Sequence, residues 1–372
     1  MARVLVTGGA GFIGSHTVDH LLARGYDVRI LDNLQPRVHP NGAPTYLPKD
    51  AEFVVGNVAD RSAMERALRD VDYVMHLAAY QDYLPDFSTF IHVNAESCAL
   101  IFEIIVAQAI PVRKLVFASS QSVAGEGSYV CSQHGTITPD PRPVAQLERG
   151  DWEAHCPQCG HEMTPQLISE TVCKPHTAYA ISKYAIELLA RSLGSRYRIP
   201  TACMRYTYVQ GTRNSFFNAY SGICRRFALR IANGAPPVCY EDGQQLRDYV
   251  NVADVARANV LAMESDSDEH AVYNVGGGRA ITVLEFARIM LDASESSLEP
   301  MVPGDYRLGD TRHTVSDISA IKRLGWEPTI PVEQSVVEYL GWMSGFAGTA
   351  DYLAEAEQAM REMGVIRSVV RQ

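Results

Sequence analysis

The sequence has no run of lysine or arginine, no apolar stretch long enough to cross a bilayer, no signal-peptide pattern at its start, and no internal repeat or low-complexity segment. Each absence removes a class of function. Without a basic run there is no extended nucleic-acid footprint, and a net charge of -10 with a pI near 5.6 points the same way. Any phosphate group must be met by a few local arginines. The missing leader and missing spanning segment imply a cytoplasmic protein with no membrane partner. In that compartment the eight cysteines stay reduced and read as core, metal or chemical residues, not disulfides. What is present is an ordinary globular composition: 372 residues, 47% hydrophobic and 20% charged, enough for a large core and two lobes.

Val4–Val6 is a short buried-strand run, followed by Thr7-Gly-Gly-Ala-Gly-Phe-Ile-Gly14 and a helical pattern over Ser15–Arg24. Gly8, Gly11 and Gly14, with Phe12 and Ile13 between them, form a turn that lets a pyrophosphate approach backbone and a helix N-terminus. A second strand, Val28–Leu31, ends on Asp32 and Asn33, with Asp32 18 positions after Gly14. A carboxylate there accepts hydrogen bonds from an adenosine ribose and repels a 2′-phosphate, so NAD is expected over NADP. Arg37 nearby is the one group that could argue for the phosphate. The alternation continues through Glu52–Val55, a helix over Ala63–Arg69, Tyr73–Leu77, a helix over Ser97–Ala109 and Lys114–Phe117. Such alternation predicts an α/β fold with a doubly wound parallel sheet of Rossmann type. Asn57 and Val58 fall where an adenine edge would lie, and Leu77, Ala78 and Ala79 where the fourth strand ends. His76 reads as a satisfied structural histidine.

Tyr179-Ala-Ile-Ser-Lys183 places a phenol and an ammonium on one helical face. A tyrosine with a pKa near ~10 is a poor base at neutral pH, and a fixed cation is one of the few ways to make its phenolate available. The spacing alone is common on helix surfaces. Its company gives it meaning.

The Thr7–Gly14 loop, Asp32, His76–Ala79, Ala118-Ser-Ser120, Tyr179-x3-Lys183 and Gln245-Leu-Arg-Asp-Tyr249 together resemble the extended short-chain dehydrogenase/reductase family of nucleotide-sugar epimerases and dehydratases. The resemblance spans Arg3 to Trp342. It implies that Ser120 hydrogen-bonds the reacting hydroxyl, that Tyr179 removes its proton, and that Lys183 also binds the cofactor ribose. Relatives that eliminate water carry an Asp-Glu pair after the serine or threonine, where this chain has Gln121 and Ser122. The resemblance therefore implies C4 epimerisation of a nucleotide-diphosphate sugar through a 4-keto intermediate, with a homodimer as the assembly. It also implies that Arg247 and Arg307 clamp a diphosphate, while Arg312 is expected on the solvated surface. Tyr208 replaces a common asparagine and, with Gln81 and Tyr83, suggests a reshaped sugar pocket; packing is an equally good reading of these aromatics.

The expected organisation is an NAD-binding domain over 1–205 containing an insertion at 126–175. An interleaved substrate-binding domain over 206–345 follows, whose 245–265 segment returns to the sheet, and then a helical tail over 346–372. The insertion holds Cys131-Ser-Gln-His134 and Cys156-Pro-Gln-Cys159-Gly160, two pairs with zinc-knuckle spacing. Four protein ligands leave no open position, so a structural zinc is expected, with His155, His161 and Cys173 in reserve. Cys98, Cys203, Cys224 and Cys239 lie in apolar surroundings and read as core. The insertion narrows the resemblance to the dTDP-L-rhamnose 4-epimerase group and thus to a dTDP-6-deoxyhexose. UDP-hexose or UDP-uronate epimerisation, net NAD-linked oxidoreduction, and an inactive NAD sensor stay open as alternatives.

Overall fold

The computed structural model describes residues 1–82, 85–215, 222–266, 270–346 and 351–370. Its first half alternates β1 (Arg3–Thr7), α1 (Phe12–Ala23), β2 (Asp27–Asp32), β3 (Glu52–Val55), α2 (Arg61–Ala67) and β4 (Tyr73–His76). Next come α3 (Phe87–Phe90), a π-helical segment Ile91–Glu96, α4 (Ser97–Ala107) and β5 (Lys114–Ser120). The insertion supplies β6 (Ser128–Cys131), β7 (Gly135–Ile137), α5 (Val144–Glu148) and β8 (Thr164–Gln166), before α6 (Ala178–Tyr197) and β9 (Thr201–Tyr206). The remainder gives β10 (Tyr208–Gln210), α7 (Ile223–Ala232), β11 (Leu246–Asn251), α8 (Val252–Glu264), β12 (Ala271–Val275), β13 (Ala280–Thr282) and α9 (Val283–Ala293). It ends in β14 (Asp305–Arg307), α10 (Ser319–Lys322), α11 (Val332–Met343), α12 (Asp351–Glu362) and β15 (Ile366–Ser368).

Seven parallel strands form the main sheet in the order β3-β2-β1-β4-β5-β9-β12. The order reverses between β1 and β4, and a crevice for ligands opens at the carboxyl ends of strands there. Alternation along each strand fills two cores. Val4, Val6, Met75, Val116 and Met204 face α1 and α8, while Leu5, Val74, Leu115, Phe117 and Cys203 face α2, α4 and α6. Cys98, Cys203, Cys224 and Cys239 are all buried, as their apolar surroundings suggested.

Three expectations need correcting. The 245–265 segment does not bring a strand to the main sheet: β11 pairs with β10 and β13 in a separate three-stranded sheet, and α8 returns instead to pack on α1. A short buried run cannot state which sheet it will join. The tail is not wholly helical, because β15 pairs antiparallel with β14, Arg307 opposite Ile366. Finally, Phe87–Ala107 forms a helical stretch of 21 residues containing a window of mean hydropathy 1.6, long and apolar enough by length and composition to cross a membrane. In this fold it packs against α6 and fills the second core.

Candidate active site

The loop after β1 closes on itself because two positions carry no side chain. Gly8 has φ +70° and a Cβ there would meet the backbone of Ala78 at 2.7 Å; a Cβ on Gly14 would meet the Gly8 carbonyl at 2.0 Å. The first turn of α1 has no side-chain cap, which leaves its N–H groups open to an anion. Asp32 is buried at the end of β2, where Oδ2 accepts the Ala10 N–H at 3.0 Å and Oδ1 the Leu34 N–H at 2.9 Å. Arg37 is paired with the buried Asp82. All fourteen residues expected to meet the cofactor line one cleft of about 520 Å³: Gly8, Gly11 to Gly14, Asp32, Asn33, Asn57, Val58, Leu77 to Ala79, Tyr179 and Lys183. Glycine cradle, open helix terminus and ribose-side carboxylate fit a dinucleotide.

Helix α6 begins at Thr177, whose hydroxyl accepts the Ala180 N–H at 3.1 Å, and this cap sets the phase of the helix. Lys183 is fully buried, donates to the Ala118 carbonyl at 2.8 Å, and lies 5.9 Å from the centre of the Tyr179 ring. Burial pushes its pKa down to about 8. Ser120, the last residue of β5, accepts at Oγ from the Ser122 hydroxyl at 2.9 Å and from the Ser122 N–H at 3.2 Å. His76 is held at both nitrogens, by Thr7 at 2.8 Å and Ser97 at 2.8 Å, and burial drives its pKa down to about 3, so it stays neutral. It is structural.

Tyr179 sits where three cavities meet: the cofactor cleft, a second lined by arginines, and a third lined by both polar and apolar side chains. Arg247, Arg307, Tyr208 and Ser120 line the second. Arg247 gives N–H bonds to the carbonyls of Leu246, Thr311 and Arg312, so its guanidinium is held rigidly while facing the cavity. The Arg307 guanidinium lies 5.1 Å from the Tyr240 ring centre, with Arg226 5.0 Å from the same ring. Gln81, Ser120, Gln121, Ser122 and Tyr208 line the third, a chamber of about 390 Å³. Tyr83 falls outside the described residues.

Arg312 corrects its expected surface position. It is 1% exposed and bound by Glu153 at 2.6 Å, Glu241 at 2.9 Å and Asp242 at 2.7 Å. Residues the sequence reading passed over also face the site: Arg225, Arg226, Tyr240 and Gln245 in the second cavity, and His176, Thr207 and Asp310 in the third. The buried Asn94 ties Tyr80 to Ser182 on α6, holding the loop after β4 against the catalytic helix. His176 lies in the irregular segment just before the Thr177 cap of α6, and nothing in the sequence singled it out.

In the insertion, Cys131, His134, Cys156 and Cys159 bring their ligand atoms within 4.8 Å of one another. Cys131 Sγ lies 3.6 Å from Cys159 Sγ and 3.5 Å from His134 Nδ1, and Cys156 Sγ 3.4 Å from the same nitrogen. Tetrahedral zinc with ordinary bond lengths needs about 3.8 Å between sulfurs and about 3.6 Å between sulfur and nitrogen. The reserve ligands are engaged elsewhere: His155 with Asp151, His161 with Gln133 and Cys173 with Arg205.

Residues 4–145 and 157–276 match the NAD dependent epimerase/dehydratase family, and the chain belongs to it as an extended short-chain dehydrogenase/reductase. The unmatched gap falls inside the insertion. A dTDP-L-rhamnose 4-epimerase of Burkholderia thailandensis is 33% identical over 349 residues, covering 92% of this chain and 95% of the relative. A putative UDP-glucose 4-epimerase of Methanocaldococcus jannaschii is 29% identical, with 91% and 98% covered. Among solved structures, a UDP-glucose 4-epimerase from Thermotoga maritima, determined with UDP-glucose, superposes with a TM-score of 0.75 at 28% identity, covering 92% of this chain and 99% of that one. The Thermus thermophilus UDP-glucose 4-epimerase in complex with NAD gives 0.71 at 29% identity, with 92% and 99% covered.

Proposed function

We propose that this chain, an NAD-dependent nucleotide-sugar 4-epimerase, inverts C4 of a dTDP-6-deoxyhexose through a 4-keto sugar, with Ser120, Tyr179 and Lys183 as its working residues. One observation carries the assignment of residues: Tyr179 lines the cofactor cleft and both neighbouring cavities, with Ser120 on the walls of the latter two and Lys183 in the former. NAD, when bound, supplies hydride acceptance and return at one sugar carbon. Tyr179 takes the C4 hydroxyl proton as the C–H bond breaks, and gives it back when the carbonyl is reduced from the other face. Lys183 supplies the positive charge that favours phenolate, and the Ser120 hydroxyl holds the reacting oxygen in line. Gln121 and Ser122 carry no acidic proton for expelling a ring hydroxyl, which supports inversion over elimination.

Support for a thymidine nucleotide and a 6-deoxy sugar is the 33% identity to the Burkholderia thailandensis enzyme. A UDP-hexose is the second reading, favoured by the likeness to the Thermotoga maritima structure. Arg247 and Arg307 suit the diphosphate in either case. We read the four-residue cluster of the insertion as a structural zinc site, and the exposed Phe87, Ile91, Ile181 and Leu188 on packed helices as the contact of a homodimer. Tyr179→Phe tests the mechanism: turnover should fall about 10²- to 10⁴-fold with NAD still bound. Unchanged turnover would remove Tyr179 from its role.

A further inference from the structure

The chamber beside Ser120 holds polar atoms that the protein leaves without partners. Both ring nitrogens of His176 are shielded from solvent and make no hydrogen bond among the described residues. Gln121 Oε1, Thr207 Oγ1 and Thr314 Oγ1 are in the same condition, and all four residues line the chamber. Their residues are themselves well inside the molecule, Gln121 at 8%, Thr207 at 9% and Thr314 at 3% exposure. Gly125, at φ +63°, lies against this segment: a Cβ there would meet the Lys174 carbonyl at 2.2 Å and His176 Nδ1 at 3.3 Å. A buried polar atom without a partner is costly, and four residues in that state around one cavity are accounted for when a ligand completes them. Neutral histidine offers one donor and one acceptor, the glutamine oxygen an acceptor, and each threonine hydroxyl both, which is the complement of alcohol groups.

Charge narrows the ligand further. Asp82 and Asp310 line the chamber, but among the described residues no lysine or arginine does. A carboxylate on the ring would enter beside Asp310 and the Arg37-paired Asp82, with no lysine or arginine among the described residues on the chamber's own wall to meet it. Apolar Phe87, Phe90, Leu308 and Val365 complete the wall and can accept a methyl or methylene group.

We infer that this chamber takes a neutral sugar ring, not a uronic acid, and that His176 with Gln121 reads its hydroxyl groups. This rests on the nucleotide-sugar reading above, whose two candidate sugars are both neutral, and adds a physical ground for that neutrality and a specificity residue for the ring. The role of His176 is in recognition: the proton at C4 belongs to Tyr179.

Calorimetric titration of the NAD-loaded enzyme tests it, using UDP-glucose, dTDP-glucose, UDP-glucuronate, UDP and dTDP as probes. His176→Ala should weaken the better neutral nucleotide sugar about tenfold while shifting its free nucleoside diphosphate less than about twofold. His176→Gln should recover part of the loss. Because the ring nitrogens make no hydrogen bond among the described residues, the melting temperature of His176→Ala should stay close to that of the parent. The parent should bind UDP-glucuronate at least about tenfold more weakly than UDP-glucose. Equal binding of sugar nucleotide by His176→Ala and parent overturns the role of His176, as does an equal loss for free nucleotide. Uronate binding as tight as that of neutral sugar overturns the charge assignment. A parent that binds neutral nucleotide sugar but leaves C4 uninverted defeats the proposed reaction and leaves these binding results standing; one that binds no nucleotide sugar defeats both.

Discussion

Lys183 shows how function is set against stability at one residue. Its ammonium is buried, donates to the Ala118 carbonyl, and has its pKa brought by burial from 10.5 to about 8. The unfolded chain therefore holds that proton more tightly. Below pH 8 the group disfavours folding, by on the order of 3 kcal/mol, and the penalty fades as pH rises from about 8 to 10.5. Lys183→Met should accordingly melt higher than the parent at pH 7 in the cofactor-free state, with the gap narrowing towards pH 10.5, and should lose turnover. A variant less stable at pH 7 contradicts this. Tyr179 and Lys183 were readable in the sequence because their relation is one helical turn. His176 was not, since lacking a partner is a property of its tertiary surroundings. Arg312 was misread for the same reason: its carboxylates come from Glu153, Glu241 and Asp242, far away along the chain.

Among the elements, the insertion matters most to the substrate side. Its sheet, in the order β7-β6-β8, packs Tyr129, Cys131, Ala154, Cys156 and Met163 into a small core beside the proposed metal. Glu153, three residues before Cys156, binds Arg312 at 2.6 Å and His313 at 2.9 Å. The Thr311 and Arg312 carbonyls in turn fix the Arg247 guanidinium. Order in the insertion is thereby transmitted to an arginine of the substrate cavity. Freshly purified protein should contain about one zinc per chain by elemental analysis; less than half an equivalent contradicts the metal. Stripping it with a chelator should lower the melting temperature and raise KM for the nucleotide sugar several-fold, with NAD binding little changed. The Cys/His cluster was legible because its four ligand atoms come from two short local spacings, 131–134 and 156–159. The strands β7 and β8, each three residues long, carried no periodic signal, and β15 was hidden for the same reason.

At the scale of the whole molecule, the parallel sheet brings the glycine loop, Asp32 and the ends of β4 and β5 to one crevice, and α6 lays Tyr179 across it. That half was legible because strand, loop and helix follow one another in order along the chain. The proposed sugar chamber was not, being gathered from 81–82, 87–90, 120–125, 176–179, 207–208, 308–314 and Val365. The central claim is that C4 is inverted by removal and return of the same hydride. It is tested most directly by turning over a neutral dTDP- or UDP-sugar deuterated at C4, and reading product configuration and label by proton coupling constants and mass. The account predicts inverted product that keeps its deuterium, with no accumulation of NADH absorbance. Loss of the label to solvent, or NADH formed in step with product, would contradict it.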